Sequence, residues 1–431
     1  MSELRIEGRL LLDGELVDGT VVLEGGRIRA VERGAIADED APIIAPGLID
    51  LHVHGFGGCD PLRGLVDGVA PFAGEAGGQE RGGAGDGGLG GMAEALARAG
   101  TTAFQPTLFP AEPSLLGRYA EACTTRALQL DPTAGHARVL GLHLEGPFVS
   151  RLAAGALPLE DLAEPSPAAL AALLGPATGD ARGIATLTLA PELAGSRDLV
   201  AELERAGVRA SFGHSRASAS QARAALRSGS PGGSGAPFGV THLYNAMTGV
   251  HHRDPGLAAL ALTDEAFVVE LIGDLVHVGP EAIDLALRAR GPAGVALVSD
   301  ALEGAGTGCD VFHSHGRVHR CHAGAAWYPA DDDPLAAGAA GARGREGANP
   351  PVRPERLAGS ATGQLEAVRR LVAAGVVSAA DALTMASLAP ARAMGLEADL
   401  GVLAPGARAD LIELDPDELT LRRVHLAGRP L

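Results

Sequence analysis

Eight apolar, strand-like runs recur along the middle of the chain, each closed by polar or glycine-rich punctuation. This period restricts the fold more than any other feature. The runs are IIAPGLIDLHVHG, TTAFQPTLF, VLGLHLEGPF, IATLTLAPE, VRASFGHS, GVTHLYNA, AFVVELIGD and VALVSDA. Helix-like stretches lie between them: SLLGRYAEACTTRALQ, SPAALAALLG, SRDLVAELERAG, SASQARAALRS and EAIDLALRARG. Near-continuous apolar strands belong to a parallel sheet whose outer side is covered by helices. Eight such units predict an α/β fold, a (β/α)8 barrel of the TIM type. Both chain ends read differently, as short strands with Asp-Gly and Gly-Gly hairpin signals. The expected organisation is a small β-sandwich domain built from both termini (residues 1–45 plus 398–431) around a barrel over 46–397. Glycine-rich insertions are expected near 64–91, 228–239 and 331–356.

The 35 basic residues are all arginine; lysine is absent. That removes Schiff-base chemistry, a P-loop lysine and a carboxylated-lysine metal bridge. The net charge of −18 argues against a nucleic-acid partner, because a phosphate backbone is repelled. Cys59, Cys123, Cys309 and Cys321 are scattered, which suits a reducing compartment. The N-terminus lacks an apolar signal core, and no unbroken apolar run approaches ~18 residues. A cytoplasmic protein with no membrane partner is expected.

In a barrel enzyme the chemistry collects at the C-terminal ends of the strands. Here strand one ends in His52-Val53-His54, strand three in His143-Leu144-Glu145, strand five in Gly213-His214, strand six in Thr241-His242 and strand eight in Ser299-Asp300. Residues i and i+2 of a strand share a side, so His52 and His54 point together into the mouth. Several imidazoles and a carboxylate suit one or two divalent ions. Asp300 is the spare carboxylate, placed to accept a proton from the attacking water. The residues themselves therefore indicate metal-assisted hydrolysis.

The motifs PGLIDLHVHG, AGTTAFQPT, GLHLEGPF, FGHS, THLYNAMTGVHHRDPG, LVSDA and LGVLAPGARADLIELD run in order from about residue 43 to 415. In these the chain resembles the amidohydrolase superfamily and, within it, the N-acetylglucosamine-6-phosphate deacetylase family. HLEGPF and THLYNAM carry the resemblance to that branch. The resemblance implies deacetylation of N-acetyl-D-glucosamine 6-phosphate to D-glucosamine 6-phosphate and acetate, in amino-sugar catabolism. Related N-acyl amino sugars, such as N-acetylgalactosamine 6-phosphate, and a sugar-phosphate-binding homologue of impaired activity are the alternatives. It implies Glu145, His214 and His242 as ligands of a primary zinc, iron or manganese ion, and His52 with His54 for a second site. It implies Asp300 as the catalytic acid–base group. Asn245, Ala246 and Arg253 match phosphate-binding positions, and His277 matches a histidine that crosses a homodimer interface to the neighbour's phosphate. Leu157 stands where the family has a histidine facing the substrate, and His143 is the nearest residue to replace it. His313, His315, His319, Cys321 and His322 fall close together, in a spacing that matches no standard zinc finger. They are read as a hairpin and loop.

Overall fold

The computed structural model describes residues 3–38, 40–66, 73–74, 87–175, 183–228, 236–315, 317–329 and 356–431. Most of the expected glycine-rich insertions lie outside these residues. Where they are described, regular structure begins inside the expected loops, with a helix over Leu89–Arg98 and strands over Phe238–Val240 and Arg356–Ser360.

Seven end strands make one ladder, in the order Arg429–Pro430, Leu421–Leu426, Leu411–Leu414, Ile43–Pro46, Leu4–Leu12, Glu15–Glu24 and Arg27–Arg33. The first hairpin turns at Asp13-Gly14 and the second at Gly25-Gly26, all four with positive φ (52°, 83°, 60° and 79°). That conformation is what a two-residue hairpin loop needs, and it is why Asp-Gly and Gly-Gly signal it. The ladder encloses its own core of Ile6, Leu10, Leu12, Val21, Leu23 and Leu411. One expectation needs correction. IIAPGLIDLHVHG is not one strand, because it divides at Gly47. Ile43–Pro46 pairs with Leu411–Leu414 in the end sheet, whereas Leu48–Val53 opens the barrel. A Cβ on Gly47 would stand 2.0 Å from Thr102 Oγ1, so only glycine allows the crossing.

The barrel strands are, in order, Leu48–Val53, Thr101–Leu108, Leu142–Leu144, Ile184–Leu189, Arg209–Phe212, Phe238–Val240, Phe267–Ile272 and Val295–Val298. Each pairs in parallel with the next. Strand eight returns to strand one through His54 N donating to Ala301 O (2.9 Å) and Asp300 N donating to His52 O (2.8 Å). Closure of the barrel and convergence of the candidate site are thus one event, made by the same residues. Helices Pro113–Ala127, Pro167–Leu174, Ser196–Arg205, Ala219–Leu226 and Pro280–Arg290 fall on the expected stretches. Ser166 and Ser218 cap two of them, the latter in a reciprocal box with Gln221. Among the described residues no helix is long and apolar enough to cross a membrane.

Side-chain bonds that skip a strand run through the lumen. Arg209 on strand five reaches Glu270 on strand seven at 3.0 Å, passing over Gly239 of strand six. A Cβ there would lie 2.4 Å from Ser211 Oγ and 2.9 Å from Arg209 Cζ. Gly239→Ala is therefore expected to cost about 1–3 kcal/mol through overpacking. Thermal unfolding measures it, and an unchanged midpoint would contradict the requirement for glycine.

Candidate functional site

Six of the residues singled out at strand ends fall into two neighbouring groups: His52, His54 and Asp300, and Glu145, His214 and His242. All but Asp300 are at least nine-tenths buried, and the Asp300 side chain keeps 14% exposure. Glu145 is the hub. Its Oε1 lies 2.9 Å from His214 Nε2, 3.1 Å from His242 Nε2 and 3.6 Å from His52 Nε2. Its Oε2 lies 3.2 Å from His54 Nε2. The Nε2 atoms also face one another, at 3.0 Å for His214 and His242 and 3.1 Å for His52 and His54. His214 Nδ1 is 2.9 Å from the Ala153 carbonyl and must donate to it, so its Nε2 offers a lone pair to the cluster. Converging nitrogen lone pairs around a carboxylate repel unless a proton or a cation lies among them. The donor set thus fits a divalent ion of zinc-like preference.

Electrostatics agree with that reading. Burial pushes the Glu145 carboxyl up, but His52 and His214 outweigh it and hold it well below the usual range. Burial holds His52 well below the ordinary histidine range, against the pull of Glu145. Burial, then the charges of Glu145, Asp274, Asp50 and Glu270, raise Asp300 well above an ordinary aspartate. His214, His242 and Asp300 have φ of 44°, 34° and 49°. The left-handed region costs each of these L-residues about 1 kcal/mol, a strain that turns their side chains over the mouth. His54 lies flat against Phe109, with ring centroids 3.9 Å apart.

The phosphate candidates border the second group. Asn245 follows His242 in a tight turn, its N donating to His242 O at 3.0 Å, and Tyr244 and Ala246 take left-handed φ of 77° and 49°. Arg253 is exposed, as are His251 and His252. His277 is held by Asp274 (Nδ1 to Oδ2 2.7 Å) with its side chain 6% exposed. Asp274 follows the end of strand Phe267–Ile272 by two residues, which places the pair at the rim of the barrel.

One expectation is overturned. His143 is fully buried, and both ring nitrogens are taken: Nδ1 faces the Leu51 carbonyl at 3.2 Å and Nε2 faces Thr188 Oγ1 at 2.8 Å. Burial lowers its pKa to about 3. It braces the lumen and has no nitrogen left for a substrate. Leu157 is buried, 5% exposed. Its neighbour Gly155 leaves room for His214, whose Cε1 would lie 3.5 Å from a Cβ there.

The 313–322 group does not collect. His319 stacks on Phe312 with Tyr328 tilted against it, His322 lies flat on Trp327, and His315 bonds Asp60 at 2.9 Å. These residues lie on the strands and turns of a small sheet over Val311–Ser314, Arg317–His322 and Ala325–Tyr328. His315 joins a third group with Asp60 and Glu303, in which Arg63 already pairs with Glu303.

Sequence reasoning passed over Asp50, Arg209 and Glu270, all buried in the lumen. Burial pushes Asp50 up to about 7. The signal was present: a charge inside an otherwise apolar strand, as in LIDLHV, VRASF and FVVELI.

The Amidohydrolase family profile matches residues 338–428. The N-acetylgalactosamine-6-phosphate deacetylase of Escherichia coli O157:H7 is 31% identical over 428 residues, 99% of this chain and 98% of that protein. The N-acetylglucosamine-6-phosphate deacetylase of Homo sapiens is 32% identical over 437 residues, 97% of this chain and 93% of that protein. In three dimensions the chain is similar to a variant of the Mycobacterium smegmatis N-acetyl-D-glucosamine-6-phosphate deacetylase, solved in complex with N-acetyl-D-glucosamine 6-phosphate. The TM-score is 0.76 and the identity 28%, over 100% of this chain and 99% of that one.

Proposed function

The chain belongs to the amidohydrolase family, among the amino-sugar 6-phosphate deacetylases, and on that premise we propose that it hydrolyses N-acetyl-D-glucosamine 6-phosphate. The products are D-glucosamine 6-phosphate and acetate. The observation that carries the reading is Glu145, His214 and His242 converging beside Asp300. Glu145, His214 and His242 would hold a primary zinc, iron or manganese ion, and His52 with His54 a second. Such an ion, when bound, acidifies water and polarises the acetamide carbonyl. Asp300 takes the proton from the attacking water and delivers it to the departing amine, which leaves only once protonated. Its residual exposure keeps the carboxylate open to the substrate.

Asn245 and Ala246 hold phosphate oxygens through the turn after strand six, and Arg253 supplies the fixed positive fork. His277, its ring fixed by Asp274, is read as reaching across the homodimer interface to the phosphate bound in the neighbouring copy. The working form is read as a cytoplasmic homodimer. Leu152 and Val250, 81% and 56% exposed on loops after strands three and six, are apolar surface that a second copy would cover.

A coupled acetate assay tests the reading directly, with chelator and then with zinc, iron or manganese restored. A folded protein that turns over nothing with any of these ions would refute it. Arg253→Ala is expected to lower kcat/KM for the 6-phosphate about 10–100-fold, the worth of a charged hydrogen bond, and to leave unphosphorylated N-acetylglucosamine unaffected. Equal losses on both sugars would remove Arg253 from the phosphate site. N-acetylgalactosamine 6-phosphate is the second substrate to assay. It is favoured by the relative named for that sugar and by Leu157, a side chain without a donor where the family has a histidine.

A further inference from the structure

Beneath the two ligand groups, the lumen holds an ion pair that deacetylation leaves without a task. Glu270 is fully buried, and its Oε1 accepts from Arg209 Nη1 at 3.0 Å. Arg209 is fixed in turn by the Pro237 and Val268 carbonyls, at 3.0 and 3.3 Å. The second carboxylate oxygen, Oε2, is buried without a hydrogen-bond partner among the described residues, and so is Nδ1 of His52. These two atoms face each other at 3.9 Å. At the other edge of the same ring, Nε2 lies 3.1 Å from His54, 3.4 Å from Asp300 and 3.6 Å from Glu145.

Two unpaired buried polar atoms that face one another are costly apart, and a movement of about 1 Å brings them to hydrogen-bond distance. The remaining imidazoles differ. His214 Nδ1 is already held by a backbone carbonyl, and Nδ1 of His54 and of His242 is buried without a partner among the described residues. We infer that Glu270 is a positioning residue for a second metal ion: it accepts the Nδ1 proton of His52 and so aims the Nε2 lone pair into the cluster, with Arg209 holding the carboxylate in place. Carboxylates behind ligating histidines act in this way, fixing the tautomer and the ring orientation. The inference rests on the reading of His52 as a ligand of that second ion.

The test is a metal titration of chelator-stripped protein with Co²⁺, followed by visible absorption and equilibrium dialysis. Wild type is expected to bind two equivalents. Glu270→Gln keeps the first with unchanged affinity and binds the second about 10–100-fold more weakly. Glutamine leaves Arg209 buried without its counter-charge, which destabilises the fold by itself. The Arg209→Met/Glu270→Gln double variant is therefore titrated alongside. It should regain thermal stability and not second-ion affinity. Second-ion binding equal to wild type in both variants overturns the role of Glu270 and leaves the two-ion reading standing. One equivalent in wild type overturns the two-ion reading and this inference with it. Loss of both ions in proportion to lost stability makes Glu270 structural only, which also overturns the inference.

Discussion

Asp300→Asn should lower kcat for the 6-phosphate by about 10²–10⁴-fold, the range in which a positioned acid–base group contributes. KM should change little, and the ion held by Glu145, His214 and His242 should remain. Asparagine has nearly the shape of aspartate, so the local backbone survives: Asp300 N still donates to His52 O, and Asp300 O still accepts from Ser360 N at 2.9 Å. What disappears is the ability to take a proton from water and pass it to nitrogen. Of the carboxylates in the two groups, Asp300 is the more exposed, at 14% against 4% for Glu145. Glu145 is surrounded by imidazoles and cannot stand in. Steady-state kinetics together with elemental analysis decide the matter. A variant that keeps its metal and loses less than about tenfold in kcat would mean that the proton travels by another group.

Much of this arrangement was legible in the chain because barrels write their chemistry in a fixed place. Strand periodicity located His52, His54, Glu145, His214, His242 and Asp300 at the mouth, and the structure gathers all six. Periodicity could not separate Ile43–Pro46 from Leu48–Val53, because two consecutive buried strands read as one apolar run. Nor could it show that His143, one strand position from the mouth, turns into the lumen and spends both nitrogens there. The 313–322 stretch, read as a hairpin and loop despite its five imidazole and thiol side chains, is a hairpin, and His315, His319 and His322 go to separate neighbours. The Arg209–Glu270 pair was missed because it depends on contacts across the lumen, between strands that are not neighbours.

Glu145→Gln is expected to abolish metal retention at the primary group and with it about 10³-fold or more of kcat/KM, since the ion supplies several kcal/mol to the transition state. Two other sources of a bridging carboxylate are closed. The chain contains no lysine to carry one. The glutamate at the end of strand four is already committed, Glu192 Oε2 accepting from Ser215 Oγ at 2.7 Å and Oε1 from Arg216 N at 2.5 Å. Among the described residues only Glu145 reaches all four clustered imidazoles, with Oε1 against three and Oε2 against the fourth. Even partners behind a ligand are worth 10–100-fold in affinity, so loss of the shared ligand itself should cost more than about 10²-fold. Glutamine fills the same volume and can still hydrogen-bond His214, so the apoprotein should fold. Added metal raises the melting temperature only where it binds the folded state. Wild type should therefore show a metal-dependent rise and Glu145→Gln none, with similar midpoints in chelator. A full metal complement and a normal thermal response in the variant would move the primary site away from strand three, and the carboxylate would then have to come from Asp300.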